Sequence, residues 1–300
     1  MSDGPVIFDR ALIRRRRHRA AALGPATFLL DRVAGDLAER LAAVLRRFDL
    51  VLDLGTPGEA VRAALRRLGS VGTVVRTDAL LPSAPARPEK FVAADEEALP
   101  FADGALDLVV SALALQSVND LPGVLIQIRR ALKPDGLFLA ALFGGETLTE
   151  LRQSFAAAES EVEGGASPRV APFADLRELG ALLQRAGFAL PVTDVDRVCV
   201  RYASALALMH DLRRMGATNA LDARRRAPLK RATLMRMSEI YAARFADADG
   251  RVRATFEIVW LSGWAPHPDQ QQPLRPGSAK ARLADVLGTR EISAGEKAGS

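Results

Sequence analysis

The residues best placed to do chemistry are acids at the ends of apolar runs. Val51 to Leu54 carries Asp53 and stops at Gly55. Further acids follow at Asp78 and at Asp95-Glu96, and a fourth run ends at Ser111-Ala112. In an open α/β sheet, ligands bind outside the carboxyl ends of the strands. Asp78, about 25 residues after Asp53, suits a ribose diol, because a carboxylate accepts both hydroxyl hydrogens. Asp95, with Glu96 beside it, suits an adenine amino group, and Leu99 and Phe101 would wall the base. Taken singly, Asp78 and Asp95 read equally well as caps of the turns that follow them. In register at successive strand ends, they favour a ligand site.

The loop Gly55-Thr56-Pro57-Gly58-Glu59 qualifies that reading. A loop that cradles a cofactor needs glycines, so that the backbone can approach the ligand without a Cβ in the way. Pro57 and Glu59 stand where the second and third glycines of a D-x-G-x-G-x-G turn would be. Gly55, Thr56 and Gly58 are left as cofactor candidates. Thr56 as N-cap, Pro57 at the first helical position and Glu59 at the third also spell a capping box. Such a box would leave a carboxylate facing the ligand, with Arg10 as the compensating cation.

The elements that must position these residues alternate. Residues 27–48 carry Phe28, Leu29, Val33, Leu37, Leu41 and Leu45 at helical spacing. Strands are predicted at Leu50 to Leu54, Thr73 to Arg76, Lys90 to Ala93, Leu106 to Ala112 and Leu137 to Leu142. Helices are predicted at Ala60 to Leu68 and Leu121 to Leu132. Leu106 to Ala112 has the largely apolar character of a strand buried on both faces. The pattern predicts a doubly wound, mostly parallel sheet. Beyond Phe143 the rhythm changes. Helices are predicted over Gly145 to Val162, Phe173 to Ala186 and much of 203–247, and strands over Val192 to Arg201 and Val252 to Trp260. The domain plan is N-terminal helices over 1–48, an α/β domain over 49–265 with helical insertions at about 145–172 and 203–247, and a loose Pro/Gln/Gly/Ser-rich tail over 266–300.

Composition narrows the classes. Only five of the 41 basic residues are lysines, acids are interspersed throughout, and the net charge is +5. Aromatics amount to 5% and do not interleave with the basic runs, which argues against a nucleic-acid surface. The lone Cys199 makes no internal disulfide, and no apolar run reaches the roughly 20 residues of a membrane span. Asp3 and Asp9 argue against a presequence around Arg14 to Arg19, which reads instead as an amphipathic helix with Ile7, Phe8, Ala11 and Leu12 inward. The chain reads as cytoplasmic, or peripheral to a membrane complex. His18, His210 and His267 are too scattered for a facial triad, so no metal is expected. The segment after residue 145 should face the substrate, with Arg10, Arg152, Glu161, Arg169, Tyr202 and Arg213 as candidates for gripping a polar protein segment. Catalytic residues are not assigned.

Phe91 to Phe101, then Asp103-Gly104-Ala105-Leu106-Asp107-Leu108-Val109-Val110-Ser111, then Leu132-Lys133-Pro134-Asp135-Gly136 resemble class I S-adenosylmethionine (SAM)-dependent methyltransferases. The resemblance implies a Rossmann-like seven-stranded α/β sheet with a reversed final strand, and SAM as cofactor. A closer resemblance is carried by Ile7-Phe8-Asp9-Arg10, Asn119-Asp120-Leu121-Pro122, Phe143 to Arg152, Glu163 to Pro168, Arg185 to Phe188, Leu208 to Leu212 and Met215 to Asn219. These look like the assembly factors of respiratory complex I that carry this fold and hydroxylate an arginine of a core subunit. It implies a protein substrate, a complex I subunit. The malonyl carrier-protein O-methyltransferases of biotin synthesis are similar mainly in the first half. The chain departs from the family pattern at Pro57 and Glu59, which predicts reduced SAM affinity, and at Gln116-Ser117, where the family has His-Trp. Two readings follow: an enzyme that modifies a protein side chain, or an assembly chaperone with a degenerate cofactor site.

Overall fold

The computed structural model describes residues 6–79, 90–270 and 283–290. The chain divides into two compact units, Met1–Pro266 and His267–Ser300. Of the predicted tail, residues 271–282 and 291–300 lie outside the described residues, and the second unit contains a short helix at Leu283–Leu287.

Seven strands form one sheet in the first unit: β1 (Phe48–Leu54), β2 (Val71–Asp78), β3 (Phe91–Ala93), β4 (Leu106–Ala112), β5 (Leu132–Phe143), β6 (Ala189–Tyr202) and β7 (Val252–Trp264). Their order is β3-β2-β1-β4-β5-β7-β6. The β3-β2, β2-β1, β1-β4 and β4-β5 pairs are parallel, and β7 runs antiparallel between β5 and β6. The predicted seven-stranded doubly wound sheet with its reversed last strand is therefore the observed one.

Helices cover both faces: α1 (Arg10–Ala22), α2 (Phe28–Ala42), α3 (Ala60–Leu65), α4 (Leu121–Ala131), α5 (Thr149–Glu163), α6 (Leu176–Arg185), α7 (Ala205–Arg214) and α8 (Arg231–Phe245). Alternation along the strands divides the core in two. Val51, Val110, Leu139 and Ala141 pack with α2, α3, α5, α7 and α8, whereas Leu52, Leu54, Val109, Phe138 and Leu142 pack with α4 and α6. Local signals set several helix starts. Asp120 accepts from the Gly123 N–H with Pro122 in the first turn of α4, and Asp175 and Glu178 form a capping box on α6.

Several predictions from the sequence shift. α2 ends at Ala42 rather than near residue 48, because Phe48 N–H donates to Ser70 O (2.8 Å) and draws the chain into β1. Leu45, left beyond the helix, is exposed, as is Phe28 at its start. The Lys133-Pro134-Asp135-Gly136 turn belongs to β5. Asp135 adopts a φ of 62°, while Asp135 N–H donates to Ala265 O and Ala265 N–H to Gly136 O. In the N-terminal segment Phe8 is buried, but Ile7 and Ala11 face solvent.

Leu37 is fully buried between α2 and the sheet. Leu37→Ala should cost about 2–5 kcal/mol by transfer and cavity terms. Urea unfolding should show a lower midpoint with an unchanged slope.

Candidate functional site

The strand-end acids converge. Asp53 in β1 sits across the register from Arg76 in β2, and Asp78 follows Arg76 on the same face. Ser111 Oγ donates to Leu54 O (2.8 Å), and the Ala112 N–H donates to Thr56 Oγ1 (3.0 Å). These two bonds tie the ends of β1 and β4 together at the point where the strand order reverses. Ser111 and Thr56 are both buried, so at this site they hold the scaffold.

Thr56 does not cap a helix. Its hydroxyl oxygen is already used by β4, Gly58 turns the chain with a φ of 72°, and α3 starts only at Ala60 with Glu59 at the N-cap and no side-chain cap bond. The predicted capping box is therefore absent, displaced by a contact between strands that local sequence does not encode. The Glu59 carboxylate instead meets Arg62 Nη2 (2.7 Å) and Arg76 Nη1 (3.0 Å). Arg76 Nη2 also lies 3.2 Å from Asp78 Oδ2. Arg76, not Arg10, is thus the cation that offsets Glu59.

Arg10 serves the other end. Its Nη2 lies 2.6 Å from Asp95 Oδ1 and also binds Glu96, and its Nη1 donates to Ser117 O (3.4 Å). Arg14 pairs with Asp95, and Arg17 Nη1 lies 3.6 Å from Glu96 Oε1. The three arginines recur at i, i+4 and i+7, so α1 presents one cationic stripe to the loop after β3. Asp95 also accepts from the Glu97 N–H (3.0 Å), so it caps a turn as well as binding arginine. Glu96 covers Gly55, where a Cβ would meet Glu96 Oε1 at 2.7 Å. Leu99 and Phe101 pack on the α4-side core.

Asp53 is the electrostatic exception. Its carboxyl group is fully buried, and neither oxygen has a well-formed hydrogen bond. Burial pushes its pKa up to about 7, against the opposing pull of the Thr56 hydroxyl and Arg76.

From this floor a cavity of about 540 Å³ extends away from the strand ends. Its lining includes Pro57, Gly58, Arg76 and Asp78 at the strand ends, Leu113, Phe143 and Phe173, Phe155 of α5, and Met209 and Leu212 of α7. Of the predicted substrate contacts, Arg169 and Arg213 line this space. Arg169 is anchored by the buried Glu159 (Nε to Oε1, 2.8 Å) and lies over the Phe155 ring. Burial works to raise Glu159, but hydrogen bonds from Ser167 and Arg169 outweigh it and hold its pKa low.

The other predicted contacts lie elsewhere. Arg152 donates to Gly145 O and Thr147 O, bracing the turn before α5. Glu161 pairs with Arg236 of α8 on an exposed face. The Tyr202 hydroxyl is buried near Asp211, and its pKa is raised by that burial and by the neighbouring charge. Arg14, Arg17, Arg62 and Arg76 were not among the sequence candidates. The helical spacing of the first two and the two-residue step from Arg76 to Asp78 were the signals that marked them.

Residues 52–140 match the methyltransferase domain family. An arginine-hydroxylase NDUFAF5, mitochondrial, of Danio rerio is 39% identical over 95% of this chain and 90% of its own length. A malonyl-[acyl-carrier protein] O-methyltransferase of Laribacter hongkongensis is 36% identical over 90% of this chain and 94% of its own. Among solved structures, the 1,6-didemethyltoxoflavin-N1-methyltransferase of Burkholderia thailandensis, with 1,6-didemethyltoxoflavin and S-adenosylhomocysteine bound, superposes with a TM-score of 0.51. It is 17% identical and covers 89% of this chain and 94% of that one, a likeness of fold.

An acid whose folded pKa lies above its unfolded value binds protons more tightly when folded. Asp53 therefore favours the fold below its ordinary value of 3.8, and that contribution is lost as pH rises through about 7. Asp53→Asn should be more stable than the native protein at pH 8, by on the order of 2–4 kcal/mol. The gain should shrink towards pH 4. Thermal or urea unfolding across that range checks both the sign and the window.

Proposed function

This chain belongs to the methyltransferase-domain family that includes the NDUFAF5 arginine hydroxylases and the malonyl-[acyl-carrier protein] O-methyltransferases, and from that membership we propose that it is a SAM-binding enzyme that modifies a protein side chain, an arginine of a complex I subunit, during assembly of the complex. The observation that carries this reading is one cavity lined both by the loop after β1 and by residues of α5 and α7. It offers a cofactor end and an acceptor end in one space. We place the chain on the aqueous side of a membrane complex. No helix among its described residues is long and apolar enough to cross a membrane, and the NDUFAF5 relatives are named mitochondrial.

The residues fit SAM at one end more openly than at the other. Asp53, fully buried beside the cavity-lining Arg76, would offer its carboxylate to an ammonium group, and Asp78 borders the cavity where a ribose diol would lie. At the base end, Arg10, Arg14 and Arg17 fill the space beside Asp78 and Glu96, leaving a cavity of only about 10 Å³. Seating a nucleoside there requires Arg10 to leave Asp95 and Glu96. When bound, SAM supplies an electrophilic methyl group. The chain's part in such a transfer is positioning and exclusion of water, which the apolar wall of Phe143, Phe155 and Phe173 serves.

A second reading is favoured by the charge of the cavity. Its lining includes Arg17, His18, Arg76, Arg169, Arg213 and Arg214 against one carboxylate, Asp78. That balance suits an acyl substrate ending in a carboxylate, as in the malonyl carrier-protein relatives, better than a guanidinium.

Mass spectrometry of the complex I quinone-module subunit, from cells with and without the gene, should show loss of an arginine modification on deletion. Biotin auxotrophy would support the acyl reading instead. Failed assembly with an unchanged subunit would point to a chaperone. Calorimetry supplies an independent check. Asp53 should ionise as the ligand's ammonium settles beside it, releasing up to about one proton per site at pH 6.5, seen as a dependence of binding enthalpy on buffer ionisation.

A further inference from the structure

Glu59 stands where the sequence pattern of a cofactor cradle calls for glycine, and the contacts of its carboxylate show what it does there. One oxygen lies 3.0 Å from Arg76 Nη1, and the other 2.7 Å from Arg62 Nη2. Arg76 is the register partner of Asp53, is only 7% exposed, and borders the cavity with Gly58 and Asp78. Asp53, a fully buried acid whose oxygens form no well-formed hydrogen bond, and the guanidinium of Arg76 are thus neighbours on adjacent strands. An α-amino-acid zwitterion needs this combination, a carboxylate for its ammonium and a guanidinium for its carboxylate. On Arg76, the place of the ligand's carboxylate is taken by Glu59. Space beside the loop remains open, since a Cβ built on Gly58 would meet nothing within 4 Å.

We propose that Glu59 is an internal competitor for the carboxylate of the cofactor's amino-acid moiety, and that Arg62 receives the Glu59 side chain when the ligand displaces it from Arg76. The inference rests on the SAM reading above and concerns only how this chain meets that ligand. Glu59 is about half exposed (48%), so its pair with Arg76 is screened by water and weak enough to open. Arg62 holds the second oxygen and keeps the displaced carboxylate paired. Affinity then depends on a contest between two carboxylates for one guanidinium. A ligand without that carboxylate does not enter the contest.

The test is calorimetric, on the full-length protein, with SAM and with decarboxylated SAM. Glu59→Gln should bind SAM about tenfold more tightly than the native chain. It should bind the decarboxylated ligand with little change. Arg62→Gln should weaken SAM several-fold, because Glu59 then stays on Arg76. Equal SAM affinity in the native and Glu59→Gln proteins would overturn the proposal, as would an equal gain for both ligands. Binding of neither ligand by any of the three proteins would overturn the cofactor reading itself, and the competition with it.

Discussion

Neutralising carboxylates gathered at the ends of parallel strands is the constraint on which the rest of the site depends. Asp53, Glu59, Asp78, Asp95 and Glu96 converge there, and Asp53, Asp78 and Glu96 are buried. Charges removed from water must be paired or protonated. Arginines meet this need from two directions. Arg76 rises from within the sheet to join Glu59 and Asp78, while Arg10, Arg14 and Arg17 descend from α1 onto Asp95 and Glu96. Asp53, fully buried, gets too little from the Thr56 hydroxyl and from Arg76 to offset its burial, and answers by a raised pKa. The attachment of α1 to the sheet follows from this accounting. Ala20 is its one buried apolar side chain, so ion pairs dominate its seat on the strand ends.

Much of the fold was legible because its signals are local or periodic. Leu106 to Ala112 reads as a strand because Leu106, Leu108, Val109, Val110 and Ala112 make a mostly apolar run suited to burial on both faces, and β4 has those bounds. The acids of the site were legible because a strand end is fixed by the strand before it. The loop between them was not. Thr56, Pro57 and Glu59 have the composition of a capping box, but the Thr56 oxygen is claimed by Ala112, which lies 56 residues further along the chain. Such competition is invisible to any local pattern.

Arg14 and Arg17, which join Arg10 on α1, were missed for a different reason. Arginine is ordinarily a surface residue, and a helix with five of them in six positions reads as solvated. The stripe at Arg10, Arg14 and Arg17 acquires meaning only beside acids some 80 residues away. Arg152 and Tyr202, by contrast, have the chemistry of ligand contacts but spend it on a turn and on a buried corner next to α7.

The antiparallel direction of β7 has a consequence for how such a protein can change over evolution. Because β7 starts where the parallel strands end, Thr255 and Glu257 stand beside the segment that leads into α5. Thr255 donates to Glu150 through its backbone N–H (3.0 Å) and its hydroxyl (2.5 Å), and Glu257 exchanges hydrogen bonds with Thr147. The segment therefore has its own moorings, on a strand that is not paired with β1 or β2. The segment leading into α5 is thus fastened to a different strand from those that carry Asp53, Thr56 and Asp78, so the two regions bordering the cavity can change independently over evolution.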